Sequence, residues 1–441
     1  MSSLDIFLYE WKHFVRNPFK VVALLLFVLA AIYGLHNGAN LYHKQKDEIV
    51  EVKEKEVEES QKTLTYYEEG KKGPEGRPWI DVSNPFWAIR YTPIYHFKEP
   101  SPIMVYSIGQ AEQYGFYKRV TFRSSPYDAD MAEEIANPER LQSGTLDFIF
   151  VVLFLLPLLL LILLYNLKGA ETEYGFLPLI EVQVGSKNHW LLSRIAFYLV
   201  LLLSVNVLLM LYGASLTAVF ANASQDLGIM IFYVVLYFLF WSVIYFFILQ
   251  RGKSIIGNTL MMMSAWVILA FIIPAMVYQW ISIKHPANLM TDLIDSTRDE
   301  RQKIYDQEDS LIQDQLIVLF PEIVSSVVSN DEAKKNIAMN RSVSALANEL
   351  MKRSVVAIEA KNQEKNKLVS NSYWYNPISY FHNQLNSIAQ THYNDYQEYR
   401  NEVQSLVDKQ IRTMVLDIWN DVEVDKAKFL QYRKALASYE N

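Results

Sequence analysis

The residue types that most often carry chemistry are present in this chain without the spacing that chemistry needs. Eight histidines are scattered through 441 residues. His285 stands far from His382 and His392, and no His-Glu-x-x-His run brings two imidazoles to one metal. There is no cysteine, which excludes disulfides, thiolate ligands and a cysteine nucleophile. No Gly-x-Ser-x-Gly elbow occurs. Gly252, Lys253 and Ser254 look like the end of a phosphate-binding loop, but the glycine that should open it is Phe247. The tripeptide lies between two apolar runs and reads as a turn carrying orientation charges. These absences predict no enzyme, no cofactor and no metal in this chain. A net charge of -7 argues against nucleic acid as a partner.

The segment with most to offer is Asn166 to Arg194, NLKGAETEYGFLPLIEVQVGSKNHWLLSR. Two acids, Glu171 and Glu173, precede Gly175. Phe176, Leu177, Leu179 and Ile180 follow. An apolar segment in a polar loop needs a surface to bury it. Two readings stand open here. One is an interfacial helix resting on lipid. The other is a docking helix for a soluble partner, with the acids meeting basic residues.

Such a loop must be held by the elements around it, and these are apolar. A helix needs about 20 apolar residues to cross a bilayer. Five runs approach that length: Val21 to Leu35, Phe148 to Leu167, Ile195 to Phe220, Ile229 to Leu249 and Ile255 to Ile281. The last four have no Lys, Arg, Asp or Glu in their middles, which argues against a proton-driven carrier or an ion channel. Direction follows from the short loops. Lys12, Arg16 and Lys20 precede the first run, Lys168, Lys187 and Arg194 follow the second, and Arg251 and Lys253 follow the fourth. The loop Ala221 to Leu227 has no Lys or Arg. The N-terminus is expected to be cytoplasmic, and the two long polar blocks extracytoplasmic.

The first block starts with a Glu- and Lys-rich stretch from Lys44 to Lys72, expected to be a solvated helix rising from the membrane. Its second part is aromatic, with Trp79, Phe86, Trp87, Tyr91, Tyr95 and Phe97, and is expected to form a small core. The second block reads as helix after helix. Val403, Val407, Ile411, Met414 and Ile418 recur at helical spacing, and Asn371 to Pro377 is a break. The expected architecture is a mainly α, polytopic helical membrane protein. Residues 1–37 are an amphipathic N-terminal helix and first span, and 38–146 the first extracytoplasmic block. Residues 147–282 hold spans two to five with a cytoplasmic loop at 167–194, and 283–441 form a second, all-helical extracytoplasmic block. An odd number of spans suggests a sixth beyond Asn441.

Around the loop, Glu171, Glu173, Gly175, Leu177, Pro178, Trp190, Leu191 and Arg194 resemble the pattern of ABC-2 type transporter permeases. The family's usual threonine after the glycine is Phe176 here. Glu10, Arg16, Asn17 and Pro18 resemble that family's amphipathic N-terminal helix. One branch has large extracytoplasmic domains after spans one and five. The chain is similar to that branch at Pro100, Pro102, Gly109, Thr121, Asn137-Pro138, Gly144, Asp147, Leu156 to Leu158, and from Asn376-Pro377 to Arg400. The resemblance implies a permease subunit of an ATP-binding-cassette exporter in the bacterial inner membrane, and supports a sixth span. It implies a second permease subunit, the same or paralogous, and separate ABC ATPase subunits gripping Glu171, Glu173, Gly175, Phe176 and Leu177. Uncharged spans and aromatic blocks suit membrane lipids, a lipoprotein or a hydrophobic peptide as cargo. The alternative is a membrane-anchored receptor or scaffold whose extracytoplasmic domains bind a partner. For topology, the expected outcome is that a cysteine placed at Ser325 labels with an impermeant reagent in intact cells. One at Ser186 should stay unlabelled, and labelling there would reverse the orientation.

Overall fold

The computed structural model describes residues 3–125, 146–169, 171, 175–184, 186–252, 254–284, 304 and 307–437. Asn137, Pro138, Gly144, Glu173, Lys253 and His285 lie outside the described residues. The fold is mostly helical. Helix α1 (Ser3–Val15) buries Ile6, Glu10 and Phe14 on one face and exposes Leu8, Trp11 and Val15 on the other. Asn17 ends it by capping the next helix, accepting the Lys20 backbone N–H at 3.3 Å, and Pro18 takes the first helical position. Helix α2 (Pro18–Glu68) then runs 51 residues without a break. The first apolar run and the solvated helix are one rod. Its polar part continues because Glu and Lys are good helix formers and pair one turn apart, as in Lys44–Glu48 and Glu58–Lys62.

After α2 come α3 (Pro85–Arg90) and two antiparallel strands, β1 (Tyr95–Phe97) and β2 (Tyr117–Arg119). Tyr95 lies opposite Arg119 and Phe97 opposite Tyr117. The apolar bundle adds α4 (Phe148–Leu164), α5 (Leu177–Val184), α6 (Lys187–Leu216), α7 (Ser224–Arg251) and α8 (Ile255–Lys284). Among the described residues four helices, α2, α6, α7 and α8, are long and apolar enough to cross a membrane. The second expected run is the shorter helix α4, because Tyr165 to Lys168 leave the helix in a turn. The rest is α9 (Asp309–Leu319), α10 (Glu332–Asn371), α11 (Pro377–Ile388), α12 (Tyr393–Trp419) and α13 (Lys426–Leu436). The expected break at Asn371 to Pro377 is the turn between α10 and α11.

Helices α4 and α8 share an irregularity. Each has a π-helical turn, Val151–Leu155 and Ile268–Ile272, shortly before a proline, Pro157 and Pro274. Proline has no N–H, so the carbonyl four residues earlier loses its partner. In α4 that carbonyl is Leu153, and the Tyr237 hydroxyl donates to it at 2.5 Å. The Trp266 indole donates to the Phe154 carbonyl and the Tyr245 hydroxyl to that of Pro157, each at 3.1 Å. The rings of Phe154 and Phe271 lie 5.5 Å apart, so the two π turns face each other.

The two polar blocks, separate in sequence, pack into one distal body. A single cluster joins Leu64, Phe86, Ile94 and Phe122 of the first to Leu346, Ile411 and Phe429 of the second. The stripe Val403, Val407, Ile411, Met414 and Ile418 is buried throughout. Of the aromatics expected to form a core, Phe86, Tyr95 and Phe97 are buried and Trp79 is exposed. The body meets the bundle where Asp147 accepts the N–H groups of Ile108 at 3.0 Å and Phe150 at 2.7 Å. Beside this joint α2 carries Gly34 and Gly38, one turn apart. A Cβ on Gly34 would lie 2.6 Å from the Asp147 carbonyl carbon, and one on Gly38 2.3 Å from the Val105 carbonyl oxygen. Backbone presses on backbone at both points, and only glycine leaves the room. Gly38→Ala should therefore destabilise the protein by about 1–3 kcal/mol through overpacking. Gly228→Ala, on α7 with no atom near the added Cβ, should stabilise it by up to about 1 kcal/mol. Thermal unfolding of the detergent-solubilised variants reads both, and equal shifts would discount the close approach.

Candidate functional site

The candidate contact residues lie at one end of the apolar bundle, where the chain passes from α4 to α6. Helices that end in an apolar setting leave carbonyls without partners and a negative dipole end. Three cations answer this. Lys20 Nζ donates to the Leu163 carbonyl at 2.7 Å and to the Tyr198 hydroxyl oxygen at 2.9 Å. Arg194 Nη1 donates to the Leu167 carbonyl. Lys168 Nζ donates to the Leu249 carbonyl and, at 3.3 Å, to that of Gln250. These side chains carry orientation charge in the sequence, yet they are only 2%, 3% and 5% exposed in that order of Lys20, Arg194 and Lys168. Among the described residues Lys12, Arg16 and Arg251 are the exposed cations at this end.

Arg194 also ties three segments together. Its Nε lies 2.5 Å from Glu10 Oε1 on α1, and its Nη1 2.6 Å from Glu171 Oε1 in the loop. The guanidinium stacks over the Trp190 ring at 4.7 Å. Glu10 is fully buried. The planar five-donor fork of arginine can serve two carboxylates and a carbonyl at once, and lysine cannot. His13, half-buried beside Lys20, is held below the usual imidazole range by burial and then by the Lys20 charge. The charges balance: two carboxylates, Glu10 and Glu171, stand against Arg194 and Lys20.

Beyond Glu171 the loop turns sharply. Gly175 has φ of +71°, a left-handed conformation, and the Phe176 N–H bonds back to the Glu171 carbonyl at 2.9 Å. A six-to-one bond over a left-handed glycine is the geometry of a Schellman turn. The Phe176 carbonyl then accepts the Ile180 N–H at 3.1 Å and starts α5. Pro178 sits in the first turn of α5, where its missing N–H costs nothing. Phe176 is 55% exposed, Leu179 59% and Val182 83%, a ridge at three-residue spacing, while Ile180 packs against the bundle core. Leu177 lies in α5, and its side chain is outside the described part, as is Glu173. Among the described residues no group of three or more His, Asp or Glu side chains is arranged to hold a metal ion.

Comparison with protein-family models, curated proteins and solved structures finds no match. The site's own geometry therefore carries the functional reading.

Of the expected site residues, Gly175 and Phe176 are exposed at the turn, whereas Glu171 faces inward. Its carboxylate is engaged by Arg194 and holds the loop to α1 and α6. Glu10 and Lys20 belong to the site and were not among the expected contact residues. The signal for Glu10 is its place in the stripe Ile6, Glu10, Phe14, where spacing demands an apolar residue. Arg194→Met should leave Glu10 buried without its contacting partner and cost about 3–5 kcal/mol. Adding Glu10→Gln should recover part of the loss. Thermal unfolding of the single and double variants checks this, and an unchanged single variant would show that the pairing bears no weight.

Proposed function

We propose that this chain is the transmembrane permease subunit of an ATP-binding-cassette exporter, and that α5 docks into a groove of a separate ATPase subunit. The observation that carries the reading is the ridge Phe176, Leu179 and Val182. It is apolar and exposed, and Glu171 beside it pairs with Arg194 on α6, a helix of spanning length, and Arg194 also holds Glu10 of α1. An ATPase that closes on ATP can move such helices only through an element that does not give way. A helix merely resting on lipid needs no buried arginine to brace it. Leu177 belongs to the same element. Glu171, expected to meet basic groups of the partner, serves instead as the brace.

On this reading α2, α6, α7 and α8 cross the bacterial inner membrane, and α4 makes a fifth, shorter crossing. The N-terminus, the loop 167–194 and the turn at Gly252 face the cytoplasm, consistent with exposed Lys12, Arg16 and Arg251. The distal body is extracytoplasmic. A second permease subunit, the same or paralogous, completes the pathway. The cargo class is a lipid, lipoprotein or hydrophobic peptide, in keeping with an apolar bundle and an aromatic-rich distal body. No nucleotide is bound by this chain.

Leu179→Asp and Phe176→Asp test the docking element. Each places a charge on the ridge without touching the Arg194 network. Truncating or charging an anchor at an interface centre costs more than about 2 kcal/mol of binding. The expected outcome is loss of the ATPase on co-purification, or ATP turnover that no longer responds to cargo, with the permease still folded in the membrane. Unchanged co-purification and normal stimulated turnover in both variants would leave α5 as a lipid-resting helix.

A further inference from the structure

Helix α11 is part of the second polar block by sequence but not by packing. Its Ile378, Phe381, Leu385 and Ala389 are buried in the core of the apolar bundle. The Phe381 ring lies 5.0 Å from that of Tyr237 on α7. Tyr380 lies 6.4 Å from Tyr233, and Tyr373 5.5 Å from Tyr380. The turn between α10 and α11 is thus level with the part of α7 that bears Tyr233. That residue is about 13 Å from the Ser224 end of a helix roughly 42 Å long, which places it several ångströms inside the distal edge of a hydrocarbon core of about 30 Å.

At this level the turn presents Trp374, 85% exposed, and Tyr375 beside it, ring centroids 4.9 Å apart. An exposed tryptophan of this degree on a soluble surface loses apolar burial. At a bilayer boundary the same ring has both an apolar and a polar neighbour to satisfy it. The charges agree. Lys367 is exposed on α10, about 6 Å up the helix from its end at Asn371, and Lys361 is exposed further up. That is the height at which lysines meet headgroup phosphates while aromatic rings sit beneath them. The turn itself is held firmly from within. Asn376 is buried and caps α11 through the Ser379 N–H, and the Asn383 amide donates to the Tyr373 hydroxyl at 2.8 Å.

We infer that the turn Tyr373–Trp374–Tyr375 is a membrane anchor of the distal body, seated in the interfacial layer of phospholipid on the distal side of the bilayer. It rests on the reading that α7 crosses the membrane. Helix α10 descends to the lipid, the aromatic turn lodges there, and α11 returns through the outer part of the bundle. The distal body is then fixed to the bilayer at two places, along α2 and at this turn.

The chain has no cysteine, so single sites can be labelled. Trp374→Cys, Leu236→Cys on the exposed side of α7 and Val318→Cys on the distal body would each carry an environment-sensitive fluorophore, in phosphatidylcholine nanodiscs with spin-labelled lipid. The expected result is loss of most emission at 374 and 236, with 318 unaffected and open to an aqueous quencher. Quenching at 236 without quenching at 374 would overturn the anchor and leave the spanning reading intact. Absence of lipid quenching at both would overturn the two together.

Discussion

A carbonyl group in an apolar interior has no water to turn to, and leaving it unpaired costs several kcal/mol. The bundle is organised around that constraint. Around the irregular helix α4 and at the ends of α4 and α7, side chains from other helices arrive. Tyr237 meets Leu153, Tyr245 meets Pro157 and Trp266 meets Phe154. Lys20, Arg194 and Lys168 meet the carbonyls at the ends of α4 and α7. The Tyr106 hydroxyl also reaches the Met210 carbonyl on α6. Each bond also fixes one helix against another. The irregular backbone of α4 is therefore the place where its neighbours are pinned.

The long apolar runs were legible because hydrophobic length is a local property. The stripe on α12 was legible for the same reason, since a helical period needs no knowledge of what covers it. Pairing across the chain was not. Nothing near Glu10 in sequence announces Arg194, and Lys20 and Lys168 look like ordinary loop charges until the carbonyls beneath them are seen. Glu171 is expected from the sequence to meet basic residues of a partner protein. Its partner is 23 residues away and on another helix. The joining of two polar blocks into one body was equally hidden, because α3 and α12 are separated by the whole apolar bundle. The shortening of α4 is different: Pro157 and Asn166 stood in the run, and composition alone passes over them.

The Arg194 cluster is neutral overall and nearly dry. Buried ion pairs of this kind add little to stability compared with apolar packing, but they tolerate few alternative arrangements. On the proposed reading of α5 as a docking helix, that exchange suits a joint between the ridge and the bundle. The left-handed turn at Gly175 and the Phe176–Glu171 bond lie at the start of the α5 ridge, and Arg194 pairs Glu171 with Glu10 on α1.

The unbroken course of α2 makes it a lever. Its fulcrum is the contact at Gly34 and Gly38, where the backbones of Asp147 and Val105 press against it. From Gly38 the arm towards Pro18 is about 30 Å and the arm towards Glu68 about 45 Å at 1.5 Å per residue. A sideways shift of the base beside Arg194 would be reversed in direction at the far tip and enlarged by about half. Lys426, paired with Glu68 at 2.7 Å, and Phe429, stacked near Tyr67 at 5.2 Å, stand at that tip to receive it.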